Sequence, residues 1–362
     1  MAGKSGRSIN NVPESPIKHM IFSWEGILVI LFIMVNIFCK GFSEYYNLEN
    51  LLRQMPVYLA EVFLMIPMAY ILVLGEIDIS VGATVCLSAT LSCIMCNTGA
   101  PFIVVILTAL IVGTVCGAVN GFILTQFEEL PPMIVTLATQ IIFRGIAEIV
   151  LGSGGSISAS NTDGFRLIGG KVGKVPYILF LVLILAVIFA VILGKSTFGR
   201  RVYAIGTNRL TAYYSGIHVK KIRFIIYTVM GTFCGLCALF LVASSYGANT
   251  TTGNGFEMDA IAMAVFGGIS STGGKGNLAG GLISAFIIVC LRVGLGQRNV
   301  HAQVILLIIG VLLICAVALP NIIENIKRAV KNKTVRICRT DSDRTTQSVA
   351  ALWGMENKGS CK

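Results

Sequence analysis

Charge is what this sequence lacks. Asp, Glu, Lys and Arg make up 12% of its 362 residues, against about 25% in typical soluble proteins. Hydrophobic residues reach 55%, and mean hydropathy is +0.82. Residues 79–127 contain no charged side chain, and neither do residues 224–256. A chain of this length in water could not cover its surface with so few charges. Soluble enzymes, secreted disulfide scaffolds and disordered proteins are therefore excluded. The pattern is that of an all-α polytopic membrane protein.

Recognisable catalytic chemistry is also missing. The three histidines, His19, His218 and His301, have no metal-binding spacing, and there is no serine elbow or zinc helix. There is no P-loop. Residues 268–275 come near, but Lys275 arrives one residue late and Gly276 stands where Ser or Thr is required. Lys195-Ser196 lacks its leading glycine, because position 189 is Phe189. No cofactor, metal or reaction is expected of this chain. Transport that consumes ATP would need the ATPase on a partner. Eleven cysteines include two CxxC spacings, Cys93/Cys96 and Cys234/Cys237, both inside apolar runs. They read as buried free thiols acting as small hydrophobes.

What is present is a series of apolar runs. A bilayer core of about 30 Å asks for some 20 residues of helix. Ten runs qualify: 21–39, 55–74, 83–96, 101–125, 133–151, 176–194, 224–245, 259–271, 278–296 and 302–319. The third and eighth are short and are expected to be tilted, broken or re-entrant. The first follows Lys4, Arg7 and Lys18 and reads as a retained signal-anchor. The expected organisation is a cytoplasmic tail (1–20), a membrane domain (21–320) and a basic cytoplasmic tail (321–362).

The net charge of +11 is a topological address. The amino-terminal tail, the 194–223 loop and the segment after Asn325 together hold 19 of the 28 Lys and Arg. With ten spans all three fall on one side, as the positive-inside rule requires. Both termini are thus expected in the cytoplasm. The basic tail, mildly amphipathic over 321–337, is expected to lie near anionic membrane lipid rather than to bind nucleic acid.

Glycine is abundant and spaced for helix contact. Gly113, Gly117 and Gly121 form a double GxxxG, with Gly231/Gly235 and Gly276/Gly280 on later segments. Such rows let backbones approach within a bundle or against a second subunit. An internal echo also appears. Glu76-Ile77-Asp78 and Glu257-Met258-Asp259 each follow glycine and precede a short span. Interrupted helices at matching places in two inverted halves of five spans would point to a transport path, with coincidence as the competing explanation.

Charges inside spans need a reason, since insertion costs roughly 2.5–3.5 kcal/mol each. Arg144 and Glu148, four residues apart, are expected to neutralise each other, with path lining as the alternative. Glu61 has no local partner. Glu76 and Asp78 flank the Gly75 break, where acids suit a helix amino terminus. Arg292 is expected to snorkel. Thr136, Gln140, Arg144 and Glu148 share one helix face, with Thr139 adjacent. Together with Asn120 they suit either helix–helix hydrogen bonding or a route for a polyhydroxylated solute. The candidate path residues are Glu61, Glu76, Asp78, Asn120, Thr136, Thr139, Gln140 and Arg144.

Several motifs carry a resemblance. Residues 74–82 read Leu-Gly-Glu-Ile-Asp-Ile-Ser-Val-Gly. Residues 117–122, 131–139 and 143–145 follow as Gly-Ala-Val-Asn-Gly-Phe, Pro-Pro-Met-Ile-Val-Thr-Leu-Ala-Thr and Phe-Arg-Gly. Residues 198–208 read Phe-Gly-Arg-Arg-Val-Tyr-Ala-Ile-Gly-Thr-Asn, with Ser-Gly-Ile at 215–217. Residues 253–262 and 266–276 complete the set. In this order they resemble the membrane permease subunit of bacterial ABC importers of the ribose/galactose/xylose type, from about Asn47 to Val317. Glu76 departs from that pattern, which carries glycine there.

The resemblance implies a type II importer fold of about ten helices, in the bacterial cytoplasmic membrane, paired with a second copy or a sister permease. It implies two cytoplasmic ABC ATPase domains and an extracellular solute-binding protein. It implies a small polar solute, a monosaccharide such as ribose; rhamnose, autoinducer-2 and nucleoside permeases share much of the pattern. It assigns ATPase coupling to the 197–217 loop, at Gly199, Arg200, Tyr203, Ala204, Gly206, Asn208, Gly216 and Ile217. The other readings of the sequence are a self-sufficient secondary transporter, using Glu61 or Arg144/Glu148 for ion coupling, and a membrane-embedded enzyme or receptor.

Overall fold

The computed structural model describes residues 24–301, 303–311 and 314. The chain divides into units 1–307 and 308–362. In the second unit, the described residues 308–311 and 314 are helical. The rest of this description concerns the first. Both tails lie outside the described residues.

Helix follows the apolar runs. α1 (Trp24–Phe42) buries Leu28, Val35 and Cys39 on one stripe and leaves Ile30, Ile33, Met34 and Ile37 exposed, as a lipid-facing helix would. α2 (Leu48–Val73) is capped by the Asn47 side chain, which accepts from the Asn50 amide at 2.8 Å. Every residue of α2 from Leu59 to Val73 is buried, so it is a central helix. It ends at Gly75, whose φ of +80° breaks the chain where a side chain would be strained.

α3 (Val81–Asn97) follows the break. It is 17 residues long and buried almost all round. Its small residues Gly82, Ala83, Ser88, Ala89 and Ser92 allow neighbours to approach on every side. Next come α4 (Phe102–Gln126) and α5 (Pro132–Leu151), then a polar connection holding β1 (Ser156–Ser158), α6 (Asp163–Ile168) and the hairpin β2 (Lys171–Val172) and β3 (Val175–Pro176). α7 (Tyr177–Lys195) exposes Ile184, Val187 and Val191. Two short helices follow, α8 (Thr197–Thr207) and α9 (Arg209–Tyr214). The remaining elements are α10 (Val219–Ser245), β4 (Gly247–Asn249), α11 (Phe256–Phe266) and α12 (Leu278–Gly296). β1 pairs antiparallel with β4, Ser156 opposite Asn249, which ties the α5–α7 connection to the α10–α11 connection.

Seven described helices are long and apolar enough to cross a membrane. The two runs expected to be short hold short helices, α3 with 17 residues and α11 with 11, the latter ending at Phe266 and too short to cross a core of about 30 Å. Residues 303–311 of the expected tenth span are helical. The protein is thus a polytopic all-helical membrane protein. The glycine rows meet inside the chain: a Cβ on Gly113 or Gly117 would collide with the backbone of α10 at Gly231, Gly235 or Tyr227. The eight described cysteines are all buried and free, as expected.

One boundary changes an assignment. α10 starts at Val219, five residues before the apolar run. Arg223 therefore lies inside the helix and is buried. It does not belong to the solvent-facing positive loop in which its charge had placed it.

Candidate functional site

Two arginine-centred ion-pair clusters lie inside the membrane domain. In the first, Arg292 of α12 bridges two acids. Its Nη1 lies 2.6 Å from Glu61 of α2, and its Nη2 lies 2.6 Å from Asp259 of α11. Arg292 is 7% exposed, so it does not snorkel. It is held between helices by the two carboxylates, and the Tyr58 ring lies 5.8 Å from the guanidinium carbon. The partner of Glu61 is 231 residues away, which is why no local pattern showed it.

The second cluster lies at the α2–α3 break. Nε of Arg223 contacts Glu76 Oε1 at 2.6 Å and Oε2 at 2.9 Å. The Tyr227 hydroxyl donates to Glu76 Oε2 at 3.0 Å. Arg223 Nη1 donates to the Leu124 carbonyl at 2.5 Å, while Nη2 is buried with no hydrogen-bond partner. Glu76 therefore does not cap α3. Nor does Asp78 cap it: its Oδ1 accepts from the amide and hydroxyl of Ser80, at 2.9 and 2.7 Å, and so braces the residue before the helix, whose own first amides take no side-chain cap.

Further polar groups gather around the start of α3. Asn120 of α4 donates to the Ser80 hydroxyl at 2.7 Å. Thr136 of α5 accepts from the Ile79 amide at 3.2 Å. Thr139 donates to the Thr136 carbonyl, and Gln140 is half-buried on the same helix. Arg144 does not pair with Glu148, which is exposed. It donates instead to the carbonyls of Thr250 and Thr252, both at 2.9 Å, and so ties α5 to the turn before α11. That turn sits on α3, since a Cβ on Gly82 would collide with the Gly253 carbonyl and the Glu257 carboxylate. Asn120 Oδ1 and Glu257 Oε2 are both buried without a hydrogen-bond partner. Glu257 was not singled out as a path candidate, although the acid triplet it opens was visible. Both triplets lie just after a left-handed glycine, Gly75 at φ +80° and Gly255 at +84°, but Glu76–Asp78 precedes α3 whereas Glu257–Asp259 forms part of the first turn of α11.

The α8–α9 layer has an inner and an outer side. The Ser196 side chain caps α8 by accepting from the Gly199 amide at 3.0 Å, and the Asn208 side chain caps α9 through Thr211. Gly199 lies against the Leu193 carbonyl, and Gly206 against the Val73 carbonyl and the Gly274 amide, with no room for a Cβ at either. The Tyr203 hydroxyl donates to the Gly276 carbonyl at 2.6 Å. Gly274 N donates to Val73 O at 2.8 Å, and Gly273 abuts Gly75. The inner side of α8 is therefore joined by backbone to the α2 break and the 268–277 loop. Gly199, Tyr203, Ala204 and Gly206 turn inward or are half-buried, whereas Arg200, Asn208 and Gly216 are exposed and Ile217 is half-buried.

The outer side carries residues that the sequence reading passed over. Leu210, Tyr213 and Tyr214 are exposed, Tyr214 by 83%, and the two tyrosine rings meet edge-on at 5.7 Å. They border a groove of about 950 Å³ that also touches Gly216, Ile217, His218 and Lys221. Glu128, from the α4–α5 loop, pins the groove edge through Arg209 at 3.2 Å and Lys220 at 3.0 Å. The hydrogen bond from Lys220, with the charge of Arg209 beside it, holds the Glu128 carboxyl below the usual carboxylate range. No group of His, Cys, Asp and Glu among the described residues is arranged to hold a metal.

Membrane-length helices with breaks at Gly75 and Gly255, joined to the short helices α8 and α9, form the setting for the family match, which places the chain among transport permeases. The chain is a member of the family described as branched-chain amino acid transport system / permease component, which matches residues 47–317. It is 36% identical over 294 residues to the ribose import permease protein of Bacillus subtilis (strain 168), covering 81% of this chain and 90% of that protein. It is 33% identical over 316 residues to the D-allose transport system permease protein of Escherichia coli (strain K12), covering 86% and 96%. An autoinducer 2 import system permease protein of Escherichia coli O9:H4 (strain HS) is 29% identical over 304 residues, covering 82% and 91%. No solved structure matches. The resemblance read from the motifs is thus correct at the level of a sugar importer permease, and the chain is a multi-pass membrane protein of that kind.

Proposed function

We propose that this chain is the membrane subunit of an ATP-driven importer that passes a small polar solute, a monosaccharide such as ribose, from an extracellular binding protein to the cytoplasm. Hydrolysis occurs on a separate cytoplasmic ATPase, and a second permease copy or sister completes the channel. Both termini and the α8–α9 layer face the cytoplasm. The observation that carries this reading is the two-sided layer itself. Its inner backbone is seated on the α2–α3 break, and its outer face presents Leu210, Tyr213 and Tyr214. A partner pressing on that face would act directly on the broken segment of the membrane domain.

In this reading Arg200, Asn208, Gly216 and Ile217 share the contact with the tyrosines. Gly199, Tyr203, Ala204 and Gly206 carry its movement inward. The polar groups around α3, namely Asp78, Asn120, Thr136, Thr139, Gln140 and Arg144, contribute to the solute route. Glu61 and Glu76 act through their arginines. An ion-coupled secondary transporter gains no support, because Glu61 is spent on Arg292 and Arg144 on backbone carbonyls. The test is reconstitution in liposomes with labelled ribose, allose and fructose. Uptake is expected only when an ATPase subunit, a binding protein and ATP are all supplied. Uptake by the chain alone, driven by an ion gradient, would overturn the proposal.

A further inference from the structure

We infer that Glu76 and Arg223 form a positioning pair that ties the α2–α3 break to α4 and α10 and so carries movement of α8 into the membrane domain. This rests on the reading of α8–α9 as the ATPase-facing layer. Three strands of chain meet at the break: the end of α2 at Val73–Gly75, the carboxy-terminal turn of α8 at Gly206, and the loop at Gly273–Gly274. Gly206 meets Val73 and Gly274, and Gly273 meets Gly206 and Gly75, backbone to backbone, with the Thr207 hydroxyl packed beside Gly274. Glu76 is the next residue after Gly75, and its carboxylate leaves this junction for Arg223, 147 residues away. Arg223 in turn holds the Leu124 carbonyl near the end of α4, and Tyr227 holds Glu76 from one turn further along α10. The links from Gly206 to α4 and α10 are therefore continuous and consist of named bonds.

Stability alone does not account for the pair. A buried ion pair repays its desolvation only when its remaining donors are satisfied. Here one guanidinium nitrogen, Nη2, is buried without a partner, although Arg223 is only 2% exposed. The Arg292 cluster, by contrast, gives each terminal nitrogen its own carboxylate. Two apolar side chains would fill the Glu76–Arg223 site at no evident loss of fold, but they would cut the polar tie between the break and α10.

The experiment compares wild type with Glu76→Leu/Arg223→Leu, Glu76→Gln and Arg223→Lys. Each is reconstituted with its ATPase and binding protein, using labelled ribose, allose and fructose as probes. The readout is solute accumulated per ATP hydrolysed, a ratio that does not depend on how much protein is folded. The double leucine variant is expected to lower that ratio roughly threefold or more, while its melting temperature and the amount of ATPase co-purified stay at wild-type values. Arg223→Lys keeps the charge and is expected to retain more of the ratio. Should the double variant fail to fold, Glu76→Gln, which keeps the side-chain shape, is expected to show a smaller fall. A ratio equal to wild type in the double leucine variant, or in Glu76→Gln where the double variant does not fold, overturns the inference and leaves the importer reading standing. A wild-type complex that hydrolyses ATP but moves none of the probes sinks the importer reading itself.

Discussion

Two buried arginines invite comparison. Arg292 and Arg223 both sit inside long helices, both bind glutamate at 2.6 Å, and both are almost fully hidden. Arg292 joins α2, α11 and α12 through two carboxylates, among helices whose facing residues are apolar and tightly packed. Arg223, on α10, holds one carboxylate just past the Gly75 break and one carbonyl near the end of α4, and keeps a nitrogen unpaired. The same side chain therefore does two jobs. One is a clamp that the fold needs; the other is a tie at a joint. Each arginine lies near a left-handed glycine, Gly75 or Gly255, so what separates the two is the pairing: two carboxylates on Arg292, one on Arg223.

Mutations can break or sharpen this contrast. Arg292→Leu strands two buried acids and should cost the most, about 3–5 kcal/mol or more. Thermal unfolding in detergent should show a large drop, and little protein should reach the membrane. Arg223→Leu strands only one acid, so its melting temperature should fall by less than that of Arg292→Leu. If the two variants melt alike, the distinction between clamp and tie is lost. Gly113→Leu tests packing away from both clusters, because its side chain would enter the backbone of α10 at Gly231 and Gly235. Overpacking of about 1–3 kcal/mol is expected, read as an intermediate shift in melting temperature. Tyr214→Ala should leave melting unchanged and weaken binding of the ATPase roughly tenfold, the scale of an exposed aromatic anchor at an interface. Titration of the partner onto the purified chain measures it. Glu128→Gln should have the smallest effect, within about 1 kcal/mol, since both of its pairs are solvent-exposed.

The parts of the molecule that could be read in the sequence are those written locally. Apolar runs gave the helices, and the glycines before Glu76 and Glu257 gave the breaks, because length and left-handed backbone depend on neighbouring residues. The internal use of the GxxxG rows was one of two options and needed the packing to decide it. The ion pairs were hidden because their partners lie far apart in the chain, Glu61 from Arg292 and Glu76 from Arg223. Arg223 was misplaced for the same reason: an arginine at a span edge looks like a solvent-facing anchor until a buried acid is found beside it. Arg144 was given to Glu148 on i,i+4 spacing, but backbone carbonyls of a distant turn took it instead. In α8, glycine pattern alone could not separate a face offered to a partner from a face seated on the chain's own backbone. The outer tyrosines belong to no glycine pattern and were passed over. The two tails, expected in the cytoplasm, lie outside the described residues.

The central claim is that the outer face of α8–α9 is where a separate ATPase drives this permease. It is tested most directly by site-specific cross-linking from a cysteine placed at Tyr214, with a second at Phe180 on the exposed face of α7 as a control. In the assembled complex, cross-links to the ATPase should form from Tyr214→Cys, change in yield when ATP is added, and be absent from Phe180→Cys. A complex that hydrolyses ATP and transports solute, yet gives no cross-link from position 214, would contradict the account.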